Sequence, residues 1–185
     1  MKLVLFGPPG VGKTTVAERL RERLGRAGLD FERLSSDAFS GNTYDRIRSR
    51  VTAADAATDW LLDGTFYRRD LRERVRALGN AHFAFLTAEL ETCLARNRDR
   101  RDAIDEKGLY VMHEEFERPR NPDLTLDTDA LSPGEAADAI GRYALAWNCD
   151  TNRSDSFGCN GPSGRQSQAI GSETPSAAIR RERTP

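Results

Sequence analysis

An α/β fold with a parallel five-stranded sheet and helices on both faces follows from three observations on this 185-residue chain. Short apolar runs alternate with segments of helical spacing through residues 1–147. The first of these runs ends in a glycine-rich turn that opens directly into a helical pattern. No internal repeat interrupts the alternation. Strands buried on both faces and joined by helices pack as a parallel sheet with right-handed crossovers.

Leu3–Phe6 is the first strand, a continuous apolar run ending at Gly7. Lys13 to about Ala27 is helical, with Val16, Leu20 and Leu24 on one face and Arg19, Glu22, Arg23 and Arg26 on the other. Phe31–Leu34 is a second strand that closes on Ser35, Ser36 and Asp37. A polar helix fits about Thr43–Ala57, and Trp60–Gly64 (WLLDG) reads as a third strand ending on an acid. Arg69–Leu78 is helical, Ala81–Leu86 (AHFAFL) is a fourth strand, and Glu89–Arg96 is a further helix. Asn97–Lys107 is almost wholly charged, and Leu109–Glu117 is helical again. Leu124–Leu126 is a fifth strand. Ser132-Pro133-Gly134-Glu135 opens the last helix, with Ser132 as N-cap and Pro133 at its first position.

After Trp147 the composition turns to Ser, Gly, Asn, Thr, Pro and Arg without apolar periodicity. Such a segment cannot bury enough surface to offset its ordering entropy, so the expectation is a folded domain over 1–147 and a disordered tail over 148–185. Hydrophobic residues make up 38% of the chain and charged ones 31%, and the formal net charge is −1. That balance disfavours long nucleic acids as partners. No run approaches the roughly 18–20 apolar residues of a membrane span, and the N-terminus has no secretory pattern. Cys93, Cys149 and Cys159 match no zinc spacing. The expectation is a cytoplasmic protein with reduced thiols.

Gly7-Pro8-Pro9-Gly10-Val11-Gly12-Lys13-Thr14 fits G-x-x-x-x-G-K-[ST], and Thr15 follows. Backbone N–H groups can wrap a polyphosphate closely only where glycine permits the turn. Lys13 adds a flexible charge for the β and γ phosphates, and Thr14 a hydroxyl for Mg²⁺. The helix that begins there points its positive end at the same anion. Lysine occurs only at positions 2, 13 and 107, with arginine supplying the other basic residues. The strand–turn–helix context predicts a three-layer P-loop NTPase fold that binds ATP with Mg²⁺.

Three classes share that cradle. A switch GTPase would carry an N-K-x-D-type motif, which does not occur, and a motor-like ATPase needs a helical domain this chain has no room for. A small kinase needs an acid for the acceptor, an acid near the metal, and arginines for the transferring phosphoryl group. Asp37 lies after the second strand, at the edge where open α/β sheets bind ligands, as the acceptor-activating base. Asp63 ends the third strand, within reach of the metal. Arg68, Arg69 and Arg72 follow at the same edge as candidate substrate contacts. Arg96, Arg98 and Arg100 lie on the charged stretch, which suits a lid closing over phosphates. His82 and His113 read as structural or surface residues.

The residues DGTFYRRDLRERV, KGLY and FERPRNPDLTLDTDALSP resemble adenylylsulfate kinases, and CLARNRDR resembles the lid helix of seryl-tRNA(Sec) and polynucleotide 5′-kinases. The resemblance spans Met1 to about Ala146. It implies the acceptor acid at Asp37, the lid arginine at Arg100, and adenine near Thr128–Leu131. GPPGVGKTT and SSDAFS depart from the serine-rich P-loop and D-G-D-N turn of adenylylsulfate kinases. The expectation is therefore a kinase for a small or nucleotide-like hydroxyl acceptor, with adenylylsulfate leading. Seryl-tRNA or a polynucleotide 5′ end comes next, then a regulatory ATPase, and the chain would act as a monomer or homodimer.

Overall fold

Alternation along the first strand sets the two sides of the molecule. In the computed structural model, which describes residues 1–100, 103–154 and 179–180, β1 (Lys2–Phe6) sends Leu3 and Leu5 to one core and Val4 and Phe6 to another. Successive side chains of a strand point to opposite faces, so a run apolar at every position needs cover on both. The first core is closed by α1 (Lys13–Arg26) and α6 (Pro133–Ser154), with Leu20 and Leu24 beside Ala137, Ile140 and Ala144. The second gathers Phe6, Phe83, Phe85 and Phe116 with Ile47 and Val51 of α2 (Thr43–Ala53) and Val75 of α3 (Arg69–Arg76).

The sheet adds β2 (Phe31–Ser35), β3 (Asp59–Gly64), β4 (Ala81–Thr87) and β5 (Leu124–Asp127) in the order β2-β3-β1-β4-β5, all parallel. β1 is central, with Leu5 opposite Asp63 on one side and Phe6 opposite Phe85 on the other. The carboxyl ends of β1, β2 and β3 therefore meet at one edge. α4 (Leu90–Arg98) and α5 (Glu106–Glu114) complete the helices of the described residues.

The predicted elements are all present, with shifted ends that have local causes. α2 stops at Ala53 because Asp55 turns the chain: its carboxylate accepts from Ala57 N at 2.9 Å and its carbonyl from Thr58 N at 3.0 Å. α5 starts and stops three residues early, since Glu117 N is drawn off to the Tyr67 carbonyl at 2.9 Å. The expected cap of α6 forms as a reciprocal box, with Glu135 N donating to Ser132 Oγ and Ser132 N to Glu135 Oε2. α6 continues past residue 147 to Ser154, and Ile179–Arg180 adds a short antiparallel strand, β6, beside β5. The rest of the expected tail, 155–178 and 181–185, lies outside the described residues. No helix among the described residues is long and apolar enough to cross a membrane.

Candidate active site

The loop between β1 and α1 is shaped by what its glycines lie against. A Cβ on Gly7 would stand 2.2 Å from the Leu86 carbonyl oxygen. Gly10 has φ +88°, and a Cβ there would meet Cys93 Cβ at 2.7 Å and Cα at 2.8 Å. Gly12 caps α1 at φ +88° with nothing within 4 Å of its Cβ position, so that side is open. Val11 is buried, and its carbonyl lies 3.1 Å from the buried Thr128 hydroxyl. Burial pushes the Cys93 thiol up to about 11, which makes it packing for Gly10 rather than a nucleophile. Gly10→Ala should therefore cost about 2 kcal/mol or more in a urea unfolding titration, from the left-handed backbone and the collision with α4.

Lys13 folds back over this loop, donating from Nζ to the Gly7 carbonyl at 3.0 Å and the Pro8 carbonyl at 2.8 Å. Burial lowers its pKa to about 8, against the opposing charges of Asp37, Asp63 and Cys93, while the charge of Arg100 lowers it further. The charged form, which a polyphosphate prefers, is complete well below pH 8 and declines above it. Affinity for a non-hydrolysable ATP analogue should be flat near pH 7 and fall by up to about tenfold per unit above pH 8. Calorimetric titrations across that range check this, and a flat profile would contradict it.

Beside the cradle, Asp63 at the end of β3 is 2% exposed. Arg33 of β2 grips it with two bonds, Nε to Oδ1 at 3.0 Å and Nη2 to Oδ2 at 3.1 Å, and Ser35 Oγ donates to Oδ2 at 3.2 Å. The same Ser35 Oγ accepts from Asp37 N at 3.3 Å and caps the 3-10 turn Ser36–Ala38. Asp63, expected near the metal, has its carboxylate held by Arg33 and Ser35. Its position is a strut under the turn that presents Asp37. Asp37 itself is exposed, its carboxylate accepting, among the described residues, from the neighbouring Ser36 hydroxyl at 3.3 Å.

The candidate arginines separate by their partners. Arg72 is 6% exposed and donates to the carbonyls of Phe66 (2.6 Å), Tyr67 (3.2 Å) and Glu117 (2.9 Å), with the Phe6 and Phe116 rings beneath it. Expected as a substrate contact, Arg72 instead spends these donors on carbonyls and clamps the 66–67 turn to the end of α5. Arg68 and Arg69 form exposed pairs with Asp70 at 2.9 Å and Glu73 at 3.8 Å. Arg96 is not on the expected lid but tied to the Thr128 hydroxyl (2.9 Å) and carbonyl (2.8 Å), and to Asp129 at 3.6 Å. Arg98 bridges to Glu106 at 2.7 Å. Arg100 is exposed, has no side-chain partner among the described residues, and carries charge that acts on Lys13.

Some of the site was not foreseen. His113 was expected to be structural or at the surface; its Nε2 donates to the Pro9 carbonyl at 2.9 Å and docks α5 on the cradle. Asn97, 2% exposed, closes the base of the α4–α5 connection by donating to the Ile104 carbonyl at 2.7 Å and accepting from Ile104 N at 3.0 Å. Arg33 and Ser35 carry the one signal that spacing could have offered, since both point to the same face of β2 and Ser35 pairs in register with Asp63. His82 is structural as expected, between the Tyr143 hydroxyl and Asn80 Oδ1, each 3.2 Å away.

Comparison with known proteins agrees with this layout. The ATPase family associated with various cellular activities (AAA) matches residues 3–62, from β1 into β3. A shikimate kinase of Xanthomonas campestris is 29% identical over 168 residues, covering 78% of this chain and 93% of its own. The APS kinase CysC of Mycobacterium tuberculosis, solved with AMPPNP and APS, superposes with a TM-score of 0.64 at 21% identity, covering 78% of this chain and 96% of its own. A gluconokinase of Sinorhizobium meliloti superposes at 0.63 with 18% identity, covering 82% and 96%. The acceptors named in these proteins differ, and the chain shares with them the α/β P-loop kinase fold.

Proposed function

We propose that this cytoplasmic kinase moves the γ-phosphoryl group of ATP to a hydroxyl of a small anionic or nucleotide-like acceptor, with Asp37 as the base. The observation that carries the reading is electrostatic. The carboxylate of Asp37 and the guanidinium of Arg100, which has no side-chain partner among the described residues, act on Lys13 with opposite sign, so an acid and a cation flank one cradle. On this reading the backbone from Gly7 through Pro8, Pro9, Gly10, Val11 and Gly12 binds the phosphates, and Thr15 continues the first turn of α1. Lys13 leaves the Gly7 and Pro8 carbonyls for the β and γ phosphates. Among the described residues no three metal-ligating side chains converge. The protein donor left to Mg²⁺ is the Thr14 hydroxyl, with phosphate oxygens and water supplying the rest. Mg²⁺ supplies charge neutralisation between the β and γ phosphates.

Asp37 accepts the acceptor's hydroxyl proton as its oxygen bonds to the γ phosphorus and ADP leaves. Asp63, Ser35 and Arg33 hold Asp37 in place for that step. Arg100 acts as the phosphate-facing charge of the lid, and Arg98 is paired with Glu106 beside it. Among acceptors adenylylsulfate leads on the KGLY and FERPRNPDLTLDTD stretches, with shikimate favoured by the first relative described. A labelled-ATP transfer assay across adenylylsulfate, shikimate, gluconate, seryl-tRNA and 5′-hydroxyl oligonucleotides tests this. Transfer to one of them supports the reading; slow hydrolysis with no transfer would favour a nucleotide-binding ATPase, the alternative in keeping with the AAA match over residues 3–62.

A further inference from the structure

A cavity of about 860 Å³ lies on the α3 side of the sheet, between α3 and the 117–123 connection that leads into β5. Its floor is aromatic, made by Phe6 and Phe83. No residue of the 7–15 cradle lines it, and Arg72, locked to its three carbonyls, forms the wall toward the 66–67 turn.

Every carboxylate on this lining is engaged. Glu73 pairs with Arg69 at 3.8 Å, Glu117 accepts from Arg69 N at 2.6 Å, and Asp123 accepts from Phe83 N at 2.7 Å. Three guanidiniums, those of Arg76, Arg118 and Arg120, have no carboxylate partner among the described residues. Arg76 is exposed, and its guanidinium sits 4.4 Å from the centroid of the Phe83 ring, over the cavity floor. Arg118 and Arg120 stand on a connection stiffened by Pro119 and Pro122. A lone exposed arginine is ordinarily just solvated, but three around one concavity raise the local concentration of anions, and each presents a fork that fits an oxyanion.

We infer that this cavity is a second anion site, separate from the triphosphate cradle, that takes a small molecule bearing a phosphate, sulfate or carboxylate group. The anion has two sources: the charged group of the acceptor itself, which would deepen the proposed function, or a separate effector. The site does not depend on Asp37 being the base.

Inorganic sulfate is the probe, titrated calorimetrically at low ionic strength into the full chain saturated with AMPPNP. One sulfate should bind with the cradle filled. The double variant Arg76→Ala, Arg120→Gln should weaken it about tenfold or more, with AMPPNP affinity and the thermal unfolding midpoint unchanged. Sulfate binding that vanishes once AMPPNP is present, or that survives the double variant, would overturn the site. The source is read from the same variant in the transfer assay. A raised KM for the acceptor, with unchanged KM for ATP, assigns the cavity to the acceptor's anionic group, and an unchanged acceptor KM assigns it to a separate anion. If no acceptor is found, the sulfate titration still decides the site.

Discussion

Asp37→Asn should lower kcat for transfer by about 10²–10⁴-fold while leaving nucleotide affinity near pH 7 almost unchanged. Asparagine preserves the shape of the 3-10 turn and its backbone bond to Ser35 Oγ, so the fold and the cradle should survive. What is lost is the acceptor for the hydroxyl proton. A second readout separates this from a structural effect. The Asp37 charge supports the protonated form of Lys13, so its removal should move the break in the affinity–pH profile to lower pH. Unchanged kcat with the true acceptor would remove Asp37 from the role of base.

Arg100→Ala should cost about 10³-fold in kcat with little loss of ATP affinity. Among the described residues the guanidinium makes no bond that the variant would break, and its charge matters once a phosphoryl group is in flight. Here the pH break should move the opposite way, because Arg100 lowers the pKa of Lys13. Opposed shifts from the two variants would be hard to obtain unless both side chains face the same cradle. A parallel loss of ATP affinity and no change in kcat would instead make Arg100 an ordinary binding charge. Arg98→Ala, which breaks only an exposed pair with Glu106, should change kcat far less.

The parts of this molecule that could be read from sequence are those whose causes are local. The cradle is a run of neighbouring residues whose glycine turns, lysine and helix start all lie within β1 to α1, and the capping box of α6 spans four residues. Strand β1 declares itself because every position from Leu3 to Phe6 is apolar, which both cores require. The unread parts are long-range pairings. Nothing in the local spacing says that Arg96 will reach Thr128 or that His113 will land on Pro9. Arginine is so abundant here that its position alone does not say which copy is spent inside the fold. Arg72 and Arg100 look alike in sequence, yet one is buried among carbonyls and the other is exposed, with no side-chain partner among the described residues.

The central place of β1 also governs how the chain is made. Its two neighbours are β3 and β4, which begin at residues 59 and 81. At roughly 5–20 residues per second, a ribosome leaves this apolar strand without a partner for about 3–15 s. The cradle waits as long, because Gly7 packs on Leu86 and Gly10 on Cys93. Nucleotide therefore cannot help the early chain to fold, and the apolar strand left unpaired during synthesis is the one that leads into the phosphate cradle.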